Sequence, residues 1–370
     1  MKIALVAPLI ESVPPKTYGG SERIVHYLAE ALLEMGHDVT MFASGDSQTR
    51  ARLVSVVAES LRLSKVPRDP VIFHMLQTME VMRQADEFDI IHFHVDFFHY
   101  PQLRQHRYPH VTTLHGRLDS PDLGAMFEEF SEMPVVSISD SQRHPLPQAN
   151  YVGTVYNGVP ASTYTFREQP GEYLAFLGRL SPEKGPERAI EMAIRMGMPL
   201  KMAAKIDKVD IEFFETKIKP WLDHPLIEYI GEVNEEQKND FLGNAKALLF
   251  PIDWPEPFGL VMIESMACGT PVIAFERGSV PEVMKDGVSG YVVNTVDEGV
   301  EALEKLDQID RGACRRYFEE RFTSMRMAEG YMALYEREIL GSTMARPVIE
   351  ERSTFRPGPT RSTAGEIIRS

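Results

Sequence analysis

Pro255-Glu256-Pro257-Phe258-Gly259-Leu260-Val261-Met262-Ile263-Glu264 is the stretch whose reading decides the fold. Two prolines flank Glu256; each fixes its own φ at about −65°, and Pro257 biases Glu256 away from the helical region. Gly259 permits a tight backbone turn. From Leu260 the run Leu-Val-Met-Ile-Glu-Ser-Met-Ala reads as a helix, which Cys268-Gly269-Thr270-Pro271 stops. Glu264 falls about one turn into it. Just upstream, Ala247-Leu248-Leu249-Phe250-Pro251 reads as a buried strand. A strand, an irregular loop and a helix start is where open α/β sheets bind ligands. The free N–H groups of such a helix start suit an anion. Taken alone, the two carboxylates fit either a ligand grip or a capping group plus a solvated side chain.

The same pattern extends in both directions. Towards the N-terminus, Ile3 to Pro8 is a short apolar run without alternation, as in a parallel sheet buried on both faces. The loop Glu11 to Gly20 follows, and Ser21 is a good N-cap for a helix running to Met35. Gly19 and Gly20 can let the backbone approach a phosphate there, but the GxGxxG spacing of a dinucleotide site is missing. Further strands are expected at 38–43, 89–96, 135–139 and 154–159, and one that ends in Thr113-Leu114-His115-Gly116. His92, His94 and Asp96 alternate onto one strand face, and these are ligand types for a metal. His99 is out of register, no Cys or HExxH accompanies the set, and no metal is expected. His115, at a strand's C-terminal end, is a site candidate, although a polar loop histidine would look the same.

Towards the C-terminus a second α/β pattern begins after the Pro- and Gly-containing segment 161–171. Its strands are expected at 173–177, 200–204, 227–231, 271–275 and 290–293, with helices at 186–196, 212–221 and 235–242, and helices filling most of 296–340. Strands alternating with helices on both sides of a linker mean two doubly wound sheets. The expected organisation is an N-terminal domain over 1–160, a linker over 161–171 and a C-terminal domain over 172–320. A last helix over 321–340 and a tail over 341–370, rich in Arg, Ser, Thr and Pro, complete the chain. The tail's composition predicts disorder.

Bulk properties narrow the function. With 370 residues the chain suits two domains. Its formal net charge of −15 argues against nucleic acid as a partner, because a phosphate backbone needs a basic face. Two cysteines without a CxxC point to a reducing compartment, and no apolar run is long enough to span a bilayer. The apolar start is short and ended by Glu11, a buried first strand rather than a signal segment. A cytoplasmic location is expected. Arg50, Arg52, Arg62, Lys65 and Arg68 form a modest basic cluster. A solvated helix face is the favoured reading over a membrane patch.

Arg179 and Lys184 lie in the strand-to-helix loop Gly178-Arg179-Leu180-Ser181-Pro182-Glu183-Lys184-Gly185. Two cations beside free N–H groups suit a diphosphate. A diphosphate site and two hydroxyl-accepting carboxylates in one cleft describe a sugar nucleotide. Fixed cations would stabilise charge on the departing diphosphate and leave no need for a metal.

With these motifs, and with Gly19-Gly20-Ser21-Glu22, Thr113-Leu114-His115-Gly116 and Asn157-Gly158-Val159, the chain resembles the family 4 retaining glycosyltransferases from Lys2 to about Tyr335. The resemblance implies the GT-B fold, an α/β architecture of two doubly wound, Rossmann-like domains facing a central cleft. It implies that Arg179 and Lys184 hold the donor diphosphate and that Glu264 binds the ribose. Val233 would border the base, and Glu256 with the backbone of Phe258, Gly259 and Leu260 would hold the donor sugar. Gly19 and Gly20 would approach the diphosphate, and His115 would lie near the sugar on the acceptor side. The implied reaction transfers a hexose from a nucleotide-diphosphate sugar, most simply a UDP-hexose, to a hydroxyl acceptor, with no cofactor. The family fold also sends a C-terminal helix, here around Met325 to Glu338, back to the first domain. A nucleotide-sugar epimerase or a non-catalytic sugar-nucleotide-binding protein on the same scaffold is the alternative. A dehydrogenase is unsupported without GxGxxG and an acid about 20 residues on.

Overall fold

The computed structural model describes residues 1–16, 19–64, 66 and 68–344. Tyr18, Lys65 and most of the 341–370 tail lie outside the described residues. The first domain runs β1 (Lys2–Val6), α1 (Gly20–Glu34), β2 (Asp38–Phe42), β3 (Arg52–Val54), α2 (Pro70–Arg83), β4 (Ile90–Phe93), α3 (Tyr100–His106), β5 (His110–Thr113), α4 (Pro121–Glu129), β6 (Val135–Ser137) and β7 (Tyr151–Thr154). The second runs β8 (Tyr173–Arg179), α5 (Pro186–Met196), β9 (Leu200–Lys205), α6 (Ile211–Phe213), β10 (Ile227–Gly231), α7 (Glu235–Gly243), β11 (Ala245–Phe250), α8 (Leu260–Ala267), β12 (Val272–Phe275), α9 (Val280–Val283), β13 (Gly290–Val293), α10 (Val296–Glu304) and α11 (Arg311–Arg321). A long helix, α12 (Ser324–Met344), ends the described chain.

Among the described residues the strands form two parallel sheets, seven-stranded in the order β3-β2-β1-β4-β5-β6-β7 and six-stranded in the order β10-β9-β8-β11-β12-β13. Both are doubly wound, with winding reversed at β1/β4 and at β8/β11. The unbroken apolar runs follow from burial on both faces. Ile3 and Leu5 enter one core, while Ala4 and Val6 enter the core on the opposite face. The first of these cores is continuous across both domains and includes Phe258, Met262, Tyr331 and Tyr335. No helix among the described residues is long and apolar enough to cross a membrane.

α12 packs back onto α1 and β5 of the first domain. A buried polar chain pins it there. His92 Nδ1 lies 2.6 Å from the Tyr335 hydroxyl and its Nε2 2.7 Å from Thr113 Oγ1, which lies 2.8 Å from the Tyr331 hydroxyl.

Several local expectations are corrected. The N-cap of α1 is Gly19, not Ser21, and no side chain caps that end. β4 stops at Phe93, and Asp96 stands outside it at φ 50°, so His92, His94 and Asp96 do not share a strand face. The last strand of the first sheet is Tyr151–Thr154, upstream of the expected 154–159. The 212–221 segment is a succession of short α, π and 3-10 turns. None of the described members of the basic cluster is on a helix. Arg52 is on β3, and Arg50, Arg62 and Arg68 lie in loops, where Arg50 pairs with Glu30, Arg52 with Glu87 and Arg62 with Glu11.

Candidate active site

A cavity of about 490 Å3 lies where the carboxyl ends of the two sheets face each other. That volume suits a small ligand. It opens at the switch points of both sheets, which is where doubly wound folds leave a crevice. The second domain contributes Arg179, the last residue of β8, and Lys184, in the single 3-10 turn Pro182–Lys184. It adds Val233, Glu256, Phe258 and Gly259, then Leu260 and Glu264 of α8. The first domain contributes Gly19, Gly20 and His115. The residues singled out in the sequence therefore border one space.

Local backbone geometry explains how they get there. Gly185 sits at φ 64°, and a Cβ on it would lie 2.2 Å from the carbonyl oxygen of Pro251. The Lys184 turn thus runs directly against Pro251, just past the end of β11, and Asp253 N donates to the Glu183 carbonyl at 2.8 Å. Gly259, at φ 81°, is the N-cap of α8 and offers no side-chain cap. Met262 N already donates to the Gly259 carbonyl, and the N–H groups of Leu260 and Val261 are left to a ligand.

The second-domain wall is charged and already paired. Lys184 Nζ lies 2.6 Å from Glu256 Oε2 and 4.6 Å from the centre of the Trp254 ring. Arg179 pairs with Glu183 and, at 3.4 Å, with Asp207. Glu264 is ion-paired with Lys238 of α7.

The loop that carries Glu256 is clamped from three sides. Glu256 N donates to the carbonyl of Trp254, Ser279 N to that of Glu256, and Ser279 Oγ to that of Phe258. From the first domain, Ser139 Oγ donates to the Pro257 carbonyl at 2.7 Å. Gly278, at φ 56°, lies so close that a Cβ on it would meet Glu256 N at 2.3 Å. Ser139, Gly278 and Ser279 escape motif reading; Gly278 and Ser279 lie in the loop between the end of β12 and α9.

The first-domain wall is closer to neutral. Burial pushes the His115 imidazole down to about 4. Its Nε2 lies 2.8 Å from Nδ1 of His94, whose ring burial holds well below the usual histidine range. Burial also raises the carboxyls of Glu11 and Glu22, which line the cavity beside Gly19. Arg62 Nε stands 2.9 Å from Glu11 Oε1. A second group absent from the motifs spans the domains. Arg23 and Tyr27 of α1 meet Glu235 of α7, which also accepts from Tyr164 at 2.6 Å. Among the described residues no His, Cys, Asp and Glu group is arranged to hold a metal ion.

Comparison with known proteins agrees with this geometry. Residues 18–162 match the family Glycosyltransferase Family 4, and residues 165–317 match Glycosyl transferases group 1. Phosphatidyl-myo-inositol mannosyltransferase of Propionibacterium freudenreichii is 25% identical over 92% of this chain and 93% of its own. AviGT4, a glycosyltransferase involved in avilamycin A biosynthesis, superposes with a TM-score of 0.72 and 25% identity, covering 92% of this chain and 98% of that one. Anabaena Alr3699/HepE, crystallised with UDP and glucose, has a TM-score of 0.70 and 17% identity, covering 91% of this chain and all (100%) of that one. Two family matches that divide between residues 162 and 165, two doubly wound sheets and one cleft between them place the chain among the family 4 glycosyltransferases of the GT-B fold.

Proposed function

We propose that the protein transfers a hexose from a UDP-hexose to a hydroxyl acceptor, with retention at the anomeric carbon and without a metal ion. The observation that carries this reading is the convergence of Arg179, Lys184, the uncapped start of α8, Glu256 and Glu264 on one cavity. Arg179, Lys184 and the helix start meet the diphosphate, and Glu264 accepts from the ribose diol beside Val233. Glu256 and the backbone from Phe258 to Leu260 hold the hexose, while Gly19 and Gly20 close over it from the first domain. A mannosyltransferase among the relatives and a structural neighbour crystallised with UDP and glucose support a hexose and a uridine nucleotide.

Lys184 has two partners to serve in turn. Without donor it is the counter-ion of Glu256. On binding, the diphosphate draws the ammonium, and the Glu256 carboxylate is released to accept from a hexose hydroxyl. During transfer the bond from the anomeric carbon to the phosphate oxygen breaks, and a bond from the acceptor oxygen forms on the same face. The acceptor proton passes to the leaving phosphate oxygen. Fixed cations stabilise the charge that develops there. Glu256 grips the sugar and is not the nucleophile. His115, neutral at physiological pH by its burial, offers a ring nitrogen on the acceptor side.

A thermal-shift screen of nucleotide sugars tests the donor, because a ligand of the native state raises stability by mass action. A UDP-hexose is expected to give the largest shift, and NMR of the glycoside formed from it to show the donor's anomeric configuration. An inverted product, or no shift with any nucleotide sugar, refutes the reading.

A further inference from the structure

The end of the cleft where Glu264 lies carries an ion pair whose lysine the reaction as described does not use. Lys238 is only 9% exposed and Glu264 4%. Lysine and glutamate are almost never buried to this degree unless paired. Here Lys238 Nζ meets Oε1 of Glu264 and lies 3.2 Å from Oε2 of Glu235. The arrangement is fixed by sequence at both ends. Asn234 and Gln237 form a capping box that sets the start of α7, which puts Glu235 in its first turn and Lys238 one turn later. α8 buries Met262, Ile263, Met266 and Ala267 beside Ser265, whose hydroxyl donates to the Thr270 carbonyl, so Glu264 is the one charged residue in the helix.

Stability of the fold does not account for the pair. Burying two charges costs about as much desolvation as their attraction returns, and an apolar pair of similar volume would serve packing as well or better. What the pair does is orient. The contact is to Oε1, so the second carboxylate oxygen can accept a hydroxyl from a ligand in the cavity that Glu264 lines. Lys238 also joins Glu264 to the domain interface, because Glu235 is the partner of Arg23 on α1, the helix that begins at Gly20.

We propose that Lys238 is a positioning residue for the donor: it holds the Glu264 carboxylate in the one orientation that accepts from the ribose diol, and so sets the preference for a ribonucleotide. The proposal rests on the reading of Glu264 as the ribose carboxylate. Once Lys238 is gone, the Glu264 carboxyl loses its fixed direction, and the diol is no longer met.

The test is calorimetric titration of wild type, Lys238→Met, Lys238→Arg and Glu264→Gln with UDP and with 2′,3′-dideoxy-UDP. Wild type is expected to bind UDP about 10- to 100-fold more tightly than the dideoxy nucleotide, the worth of a hydrogen bond to a charged group. Lys238→Met is expected to bind the dideoxy nucleotide like wild type while losing most of that ratio, and Lys238→Arg to recover part of it. A ratio kept in Lys238→Met but lost in Glu264→Gln overturns the role of Lys238 and leaves the ribose site standing. Equal weakening of both nucleotides in Lys238→Met overturns it too, as the mark of a merely structural contact. A wild-type enzyme with no ratio at all overturns the ribose site itself, and the proposal with it. Should Lys238→Met not fold, Lys238→Gln carries the same comparison.

Discussion

The two walls of the cleft are built from the same unit, a parallel strand that ends at a loop, yet they differ in how many full charges they carry. The second-domain wall holds full charges in pairs, Arg179 with Glu183 and Asp207, Lys184 with Glu256, and Lys238 with Glu264. The first-domain wall holds glycines, a histidine whose proton burial disfavours, and two carboxyls that burial raises, with Arg62 beside Glu11 and Arg23 reaching across to Glu235. The difference matches what each wall has to meet. A diphosphate needs cations held in place, and pairing them in advance keeps them ordered until it arrives. A hydroxyl acceptor needs shape and polar contacts rather than charge.

The largest expected effect comes from breaking the charged wall. Lys184→Ala removes a diphosphate cation and leaves Glu256 without its counter-ion. The kcat/KM for transfer is expected to fall by about 100- to 1,000-fold, the scale for removing one preorganised electrostatic group. Glu256→Ala should fall by a similar factor. Both variants should melt near the wild-type temperature, because Lys184 is only partly buried. Steady-state kinetics beside a melting curve decides it, and near wild-type transfer by both variants would end the distinction between the walls.

A smaller effect comes from moving that wall without discharging it. In Gly278→Ala the new methyl meets Glu256 N and O, at 2.3 and 2.4 Å in the present backbone. The Glu256 loop must shift, and a displacement of about 1 Å can cost up to about 100-fold in rate. We expect a loss of about 10- to 100-fold in kcat with Glu256, Lys184 and their charges intact. A wild-type kcat would show that the loop tolerates the shift.

How much of this was legible in the sequence follows the same division. The second-domain wall can be read because its chemistry is local. Arg179 with Lys184 and Glu256 with Glu264 each lie within one strand-loop-helix unit, where spacing fixes direction. Ser139, Gly278, Lys238 and Arg23 reach the site only through tertiary contacts, and no local pattern announces them. The fold has the same boundary. Strands buried on both faces, such as β1 and β11, stand out as apolar runs. Helix α2 does not, because it buries His74, Gln77 and Thr78 and exposes Val71, Ile72, Met75, Leu76 and Met79. Gln77 donates to the carbonyls of Ala7 and Phe42, so the polar face is the one the sheet ends require. The pattern is the reverse of an ordinary amphipathic helix.

The neutral wall makes a prediction about pH. Burial lowers His92, His94, His99, His110 and His115, the last two to about 4 from 6.5. Their folded values lie below their unfolded ones, so between about 4 and 6.5 the unfolded chain binds more protons. Stability from these groups is complete above pH 6.5 and is lost as pH falls towards 4. Glu11, Glu22 and Asp96 shift the other way and offset part of the loss, since their raised values favour the folded state in acid. The histidines lie deeper, so the net slope is positive. Urea midpoints should hold from pH 7.5 to about 6.5 and decrease from there to 4.5. A flat profile would mean that these histidines are charged or open to water in the folded protein.

The smallest effect concerns what holds the neutral wall in place. His92 is neutral, so its ring carries one proton and one lone pair for two partners 2.6 and 2.7 Å away. One of Tyr335 and Thr113 must therefore donate to it while the other accepts. Tyr335→Phe deletes one partner and leaves a ring nitrogen buried without a bond, which costs about 1–3 kcal/mol. The helix itself should stay, because Tyr331 still reaches Thr113 and Leu334 still packs on Gly153. Denaturant unfolding should register the loss, with kcat within about two-fold of wild type. Tyr331→Phe acts on the same chain one link further along, so the double variant should lose less than the two single losses added. Strict additivity would mean that α12 is held by independent contacts, and that the polar chain under His115 does not behave as a unit.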